Sequence, residues 1–140
     1  MEDLVRSCLG FRLGSAWRRV DRLFNRAFKR VGLTHAHGHV LACLLAHGDM
    51  RLVDIARRTG FEPSTVSRLV KELVRRKLAR RSPDPSDGRA RLVGPAKRGE
   101  ALRKDIEGLV QRAEERLRRD VAQADLEGFL TTTQAIDKLP

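Results

Sequence analysis

The chain has 140 residues, of which 41% are hydrophobic and only 4% aromatic, and it contains no Tyr. This length allows one domain or two small lobes that share a core. A core poor in aromatic rings must be built mainly from Leu, Val, Ile and Ala, which suits packed helices. The two cysteines, Cys8 and Cys43, are too few for a disulfide framework. Neither a membrane-spanning apolar run nor a cleavable leader is recognisable, so we expect a reduced, cytoplasmic protein with no membrane partner.

The net charge of +11 is distributed unevenly along the chain. Residues 51–93 carry 12 basic and 5 acidic side chains, whereas residues 94–140 carry nine of each. A local basic excess is the footprint that binding to a polyanion requires, although a solvated basic surface gives the same counts. Arg outnumbers Lys by 23 to 6, and its planar guanidinium group suits phosphate and guanine recognition. The charge therefore favours nucleic acid as the partner without deciding for it.

Regularly spaced apolar residues and helix-ending residues predict a mainly α-helical chain. Gly32, Gly48 and Gly60 each follow a periodic segment as a natural helix stop, and Thr34 precedes the second segment as an N-cap. Pro63 suits the first turn of the fourth helix, where its missing N–H costs nothing. The predicted helices cover residues 2–31, 34–46, 52–59, 63–77 and 97–121, with a final helix from about residue 125.

A basic β-hairpin is predicted directly after the fourth helix. Short strands at residues 78–81 and 89–93 flank a turn-rich loop at residues 82–88.

Apolar residues on the last long helix recur near the 3.5-residue spacing of a coiled-coil seam. Together with the apolar stripe of the first helix, they give the terminal helices more apolar surface than the central lobe can cover. Pairing with a second copy of the chain would cover it. The predicted seam comprises Leu102, Ile106, Leu109, Ala113, Leu117 and Val121.

The segment 52–71 carries the helix-turn-helix pattern. Ala56, Gly60, Val66 and Leu69 stand at the required offsets, where a small residue, a turn glycine and two apolar residues let two short helices pack closely. The outer face of the second of these helices is polar and basic, which suits base edges and phosphates in a major groove. Its candidate DNA-binding residues are Ser64, Thr65, Ser67, Arg68, Lys71 and Arg75.

The chain resembles the MarR family of winged-helix regulators over nearly its whole length. The resemblance is carried by Gly32-Leu33-Thr34, by Pro63-Ser64-Thr65-Val66-Ser67-Arg68, and above all by Asp84-Pro85-Ser86-Asp87-Gly88-Arg89-Ala90 followed by Gly99. The sequence departs from the family at Pro95-Ala96, where Leu-Thr is usual, and at Lys77, where Gly is common. These departures affect local geometry rather than the proposed DNA contacts.

The resemblance implies a winged helix-turn-helix region at residues 34–96 and a helical dimerisation region formed by residues 1–33 and 97–140. It implies obligate homodimers on a palindromic operator, with the recognition helix in the major groove and a wing arginine in the minor groove. Arg89 matches the wing arginine, Asp87 is an acidic neighbour able to orient a guanidinium group, and Arg91 follows on the same strand.

The histidines and cysteines are candidate switch residues. His35 and His39 have a metal-ligand spacing, but no carboxylate or thiol lies beside them in sequence, so we predict no metal site. His37 matches a position that borders the ligand cleft of the family, which implies a small phenolic or anionic effector. Cys8 is interpreted as a small buried residue, because peroxide sensors of this type pair their cysteine with tyrosines, and Cys43 is interpreted as a core residue.

We therefore predict a sequence-specific regulator of transcription, specifically a repressor, that binds double-stranded DNA as a homodimer and is released by a small anionic or aromatic ligand. The alternative is an architectural DNA-binding protein with weak sequence preference. No nucleophile–base pair, phosphate loop or paired carboxylates are recognisable in the sequence. The chain is thus predicted to be neither an enzyme nor dependent on a cofactor.

Overall fold

The computed structural model describes residues 1–119 and 121–138, and it confirms a mainly α-helical fold with one antiparallel hairpin. The hairpin packs against a set of helices. The helices are α1 (Glu2–Ser7), α2 (Leu9–Phe28), α3 (His35–His47), α4 (Leu52–Thr59), α5 (Pro63–Arg75), α6 (Lys97–Glu100), α7 (Arg103–Arg118) and α8 (Gln123–Ile136), and the strands are β1 (Ala79–Asp84) and β2 (Asp87–Pro95).

The first helix is interrupted, which corrects the prediction of one helix over residues 2–31. Cys8 adopts an extended conformation with ψ of 119°, and it separates α1 from α2. The Ser7 hydroxyl donates to the Asp3 carbonyl at 2.7 Å, and such local bonds compete with helix continuation. A short 3-10 turn, Lys29–Val31, then leads to Gly32, whose φ of 68° ends the segment as predicted.

The start of α3 is fixed by side chains that cap its backbone. The Thr34 hydroxyl accepts a hydrogen bond from the His37 N–H, which confirms Thr34 as the N-cap. The Asn25 side chain accepts from the His35 N–H at 2.9 Å, and the Asp21 carboxylate lies 2.9 Å from the His35 ring nitrogen Nδ1. Helix α2 therefore holds the first turn of α3 through two polar contacts.

One hydrophobic cluster joins the helices to the hairpin. It reaches from Phe28 at the end of α2 to Ile106 on α7, so the two predicted regions share a core. Two glycines allow its closest contacts: a Cβ on Gly38 would overlap the Phe28 ring, and a Cβ on Gly99 would overlap the Leu78 carbonyl. The most completely buried members are Phe28, Val40, Leu41, Leu44, Ile55, Val66, Val70, Leu73, Leu78 and Val93.

The predicted helix over residues 97–121 is also divided, because Ala101 and Leu102 form a turn between α6 and α7. Ile106, Leu109 and Ala113 of the predicted seam are buried within the chain itself, where α7 packs mainly on α2. Exposed large apolar side chains lie on α1, α2 and α8, namely Leu4, Leu9, Phe11, Trp17, Phe129 and Leu130, and also include Val53, Val110 and Val121, of which Val121 belongs to the predicted seam.

No helix among the described residues is long and apolar enough to span a lipid bilayer.

Candidate nucleic-acid interface

The helix-turn-helix is built as the sequence pattern predicts. Gly60 ends α4 with a φ of 70°, in the left-handed region that a side chain disfavours. Ala56 is buried on α4, and Val66 and Leu69 are buried on α5. These contacts fix α5 against α4 and turn the opposite side of α5 toward solvent.

The solvent-facing side of α5 presents hydroxyl and basic groups. Ser64, Ser67, Arg68 and Lys71 are exposed, whereas Thr65 is half-buried. Arg75 is also exposed, but its guanidinium group donates twice to the Glu72 carboxylate, at 2.8 and 2.7 Å. Hydrogen bonding to Arg75 lowers the pKa of Glu72. The exposed polar side chains in the first two turns of α5 are therefore more available to a ligand than Arg75, whose guanidinium group already has a hydrogen-bond partner.

The hairpin is longer and more tightly closed than predicted. Only Pro85 and Ser86 form the turn, because Asp84 and Asp87 already pair across the strands. Asp84 accepts hydrogen bonds from the Ser86 N–H at 2.8 Å and from the Ser86 hydroxyl at 2.7 Å. This carboxylate-centred turn organises residues that the sequence alone indicated only as a loop.

The three predicted wing residues, Asp87, Arg89 and Arg91, are all exposed. The pairing register shifts between Asp84, opposite Asp87, and Pro83, opposite Arg91, so Arg89 lies in the irregular part of β2 between them. Asp87 does not hold the Arg89 guanidinium group; its carboxylate accepts from the Arg89 backbone N–H at 3.1 Å. The guanidinium group nearest to Asp87 is that of Arg51, at 4.0 Å.

The segment before α4 anchors the hairpin, and sequence reasoning missed this role. Met50 pairs with Val93 through two backbone hydrogen bonds of 2.9 Å, so it adds a third, one-residue strand beside β2. Arg51 donates from Nε to the Asp84 carboxylate at 2.7 Å, and its Nη2 lies 2.6 Å from the same oxygen. Arg51 thereby links the N-cap of α4 to the tip of the hairpin.

A second polar contact ties the same segment to β1. Asp49 accepts from the Arg80 guanidinium group at 2.9 Å and from the Ser82 hydroxyl at 3.4 Å. Its carboxylate occupies the space that a Cβ on Gly94 would need. We call Asp49, Met50 and Arg51 the wing anchor.

His37, in the first turn of α3, lies near charged groups on and just after α5, namely Arg68, Glu72 and Arg76. Its Nδ1 is 2.7 Å from the Thr34 hydroxyl, and the ring is half-buried. Burial lowers the pKa of His37, and nearby Arg76 and Arg68 lower it further, while Glu72 opposes them. The ring is therefore mostly neutral at pH 7.

Two surface pockets adjoin α7, and His37 lines neither of them. The larger, of about 620 Å³, is lined by Ala42 of α3 and by residues of α7 such as Val110. The smaller, of about 240 Å³, lies between Arg30, Asp105 and Arg112.

His35 is a structural residue of the α2–α3 junction. Besides its contact with Asp21, its ring stacks on Phe24 with a centroid distance of 4.7 Å. Among the described residues, no three His, Cys, Asp or Glu side chains come together in a way that could hold a metal ion. Cys43 is half-buried, with its sulfur 4.0 Å from that of Met50, and burial raises the pKa of its thiol.

A helix-turn-helix followed by an anchored, basic hairpin defines a winged-helix DNA-binding protein. The family model described as MarR family matches residues 31–90, which include α3, α4, α5 and most of the hairpin. A comparison with curated proteins gives no match.

Solved structures extend the similarity to nearly the whole chain. CouR from Rhodococcus jostii bound to p-coumaroyl-CoA is 27% identical with a TM-score of 0.83, covering 97% of this chain and 96% of that one. The transcriptional repressor CouR bound to a 23-mer DNA duplex is 26% identical with a TM-score of 0.85, covering 96% of both chains. A MarR mutant from E. coli complexed with operator DNA is 22% identical with a TM-score of 0.84, covering 94% of both chains.

The chain is thus similar to the MarR family of DNA-binding transcriptional regulators, through the family model over residues 31–90 and through its fold over nearly the whole chain. The resemblance found in the sequence is thereby confirmed.

Proposed function

We propose that the protein is a homodimeric repressor that binds a palindromic operator through α5 and the wing. The observation that carries this proposal is the pairing of two exposed basic elements on one rigid unit. Helix α5 presents Arg68 and Lys71, and β2 presents Arg89 and Arg91, while the wing anchor fixes the hairpin to the start of α4. A recognition helix and a wing held in this way can enter adjacent grooves of one duplex.

The two elements are suited to different parts of the DNA. Helix α5 places Ser64, Ser67 and Arg68 near its N-terminal end, where side chains reach base edges in a major groove. Arg89 extends from a narrow hairpin that fits the minor groove, where the negative potential is concentrated and the base code is degenerate. We therefore assign sequence preference mainly to Arg68 and sequence-independent affinity mainly to Arg89.

The dimer is supported by apolar surface that the single chain leaves uncovered. Leu9, Phe11 and Trp17 on α2, and Phe129 and Leu130 on α8, are each more than half exposed. Several large apolar side chains exposed on the same two helices are the kind of surface that protein–protein interfaces cover. A second copy that packs against residues 1–33 and 97–140 would cover them and would bring two recognition helices to one duplex.

A small-molecule effector is supported by the related proteins. CouR has been solved with p-coumaroyl-CoA, and regulation of DNA binding of Bordetella bronchiseptica BpsR by 6-hydroxynicotinic acid has been described at 24% identity to this chain. Both compounds combine an aromatic ring with acidic groups. We propose an effector of that class for this chain, with His37 as a neutral hydrogen-bonding contact beside α5.

The experiment that tests the proposal compares Arg68→Ala and Arg89→Ala for binding to operator, single-base operator variants and random DNA over a salt series. Arg68→Ala should weaken operator binding and relax the preference at one position of each half-site, since a bidentate Arg–guanine contact contributes about 1–3 kcal/mol of discrimination. Arg89→Ala should weaken binding to all sequences evenly and reduce the salt dependence by about one counterion per half-site.

Arg103→Ala is the matched control, because Arg103 lies on α7 and pairs with Glu100 away from both elements. Binding by both test variants at the level of this control would contradict the proposal. If Arg89→Ala leaves both the affinity and its salt dependence unchanged, the hairpin is not a DNA-binding wing.

A further inference from the structure

The tip of the wing is connected to the helix-turn-helix mainly through one side chain. Beyond the backbone pair of Met50 with Val93, the hairpin continues as two strands alone. An isolated two-stranded hairpin is only marginally ordered in water. Arg51 spans this gap, because it starts at the N-cap of α4 and ends on Asp84 beside the turn.

The Asp84 side chain is enclosed by its contacts. It is 6% exposed, compared with 43% for the Arg51 side chain, and it accepts hydrogen bonds from Ser86 as well as from Arg51. The Arg51 guanidinium group also lies 3.4 Å from the Ser86 hydroxyl. Asp84 thus holds the hairpin turn through its bonds from Ser86, and it holds the guanidinium group of Arg51 in the same place.

A carboxylate at this position is unfavourable for DNA binding unless it has another role. Asp84 stands five residues before Arg89, on the element proposed to enter a DNA groove, and a negative charge there repels phosphates. Arg51, conversely, has its positive head group engaged by Asp84 and close to Asp87. Electrostatic attraction of DNA phosphates therefore does not explain the presence of the Arg51–Asp84 ion pair at the hairpin.

We infer that Arg51 and Asp84 are positioning residues that hold the wing at a fixed angle to α5. Because the hairpin is then ordered before binding, Arg89 and Arg91 reach DNA without an additional loss of conformational entropy. This inference rests on the proposed use of the wing in DNA binding. Fixing a binding element in advance raises affinity by removing the entropy loss that would accompany its immobilisation.

The decisive variant is Asp84→Asn, which removes a negative charge from the DNA-binding region and weakens the contact to Arg51. Simple electrostatics predicts tighter DNA binding by this variant. The positioning role predicts weaker binding, by roughly tenfold, as for one lost charge-assisted contact. Glu62→Gln is the matched control, since Glu62 precedes α5, is exposed and makes no side-chain capping bond. Its DNA affinity should stay unchanged or rise.

Arg51→Gln removes the other, exposed partner of the same contact, so it tests the inference even if Asp84→Asn does not fold. Unfolding curves verify that each variant is folded. Arg51→Gln should weaken DNA binding in the wild-type background. When Arg89→Ala and Arg91→Ala are already present, Arg51→Gln should change DNA affinity by less than about twofold. Its effect depends on positioning those two arginines, which this background lacks.

The outcomes separate the inference from the function on which it rests. If Arg89→Ala weakens DNA binding while Asp84→Asn and Arg51→Gln bind at least as tightly as wild type, the positioning role is wrong. An undiminished effect of Arg51→Gln without the wing arginines would show that Arg51 contacts DNA itself, which also overturns the inference. If Arg89→Ala binds like wild type, the proposed function fails instead.

Discussion

The contacts of Asp84 change the chemistry of its carboxyl group. Hydrogen bonds from the Ser86 hydroxyl and backbone N–H, and then from Arg51, lower the pKa of its carboxyl group from 3.8 to about 2. These bonds favour the charged form, although burial of the side chain opposes it. A group with a lowered folded-state pKa stabilises the folded state fully above its ordinary pKa, and that contribution disappears as the pH falls through the folded-state value.

Asp84→Asn should therefore lower the thermal unfolding midpoint at pH 7, and the difference from wild type should shrink as the pH falls from about 4 toward 2. Unfolding curves of both proteins over this pH range check the prediction. Glu62→Gln, which alters an exposed carboxyl group, should show no comparable convergence. A difference between wild type and Asp84→Asn that stays constant with pH would contradict the assigned role of the carboxylate.

Among single residues, sequence patterns indicated the proposed DNA contacts but not the residues that support them. Arg68 and Arg89 could be singled out, because one lies on the polar side of an amphipathic helix and the other in the hairpin motif string, and both side chains are exposed. Arg51 could not, since its partner Asp84 lies 33 positions away and no local spacing relates them. An Asp followed two residues later by Ser does predict a side-chain-capped turn, and this signal could have marked Asp84.

Among the elements, α3 and α5 were predictable because their ends are specified by local chemistry. Thr34 and Gly48 bound α3, and Gly60 and Pro63 bound the turn before α5. The breaks at Cys8 and after Glu100 were not predicted, because apolar residues continue at helical spacing across both positions and no Gly or Pro occupies either break. The hairpin strands were predicted too short, since the turn depends on the Asp84 contacts.

The packing of α3 against α2 depends on a glycine. Gly38→Ala should destabilise the protein by about 1–3 kcal/mol, because the added methyl group would overlap the buried Phe28 ring. This cost exceeds the gain of up to about 1 kcal/mol in helix propensity. Gly128→Ala on α8 is the control, since an added Cβ there meets no atom within 4 Å, and it should leave stability unchanged or raise it. Urea unfolding measures both; equal stability of the two variants would contradict this account of the α2–α3 contact.

For the whole molecule, the central prediction is dimerisation through the terminal helices. The protein should sediment as a dimer of 15.8 kDa chains at micromolar concentration. Leu9→Glu combined with Phe11→Glu should shift it toward monomer, because these exposed side chains would otherwise be buried in the interface. Val53→Glu, at an exposed apolar residue of α4, is the control and should remain dimeric. A fully folded wild-type monomer would refute the prediction.

The most direct test of the account is selection of bound sites from a random DNA library, followed by measurement of affinity and stoichiometry on the selected sequence. A dimer of winged helices predicts a palindrome whose half-sites are about 10–10.5 base pairs apart, or a multiple of that spacing. Two chains should bind each duplex, with a preference over random DNA of at least about a thousandfold. Selection without an enriched sequence, or binding of one chain per site with equal affinity for random DNA, would contradict the account and favour an architectural DNA-binding protein.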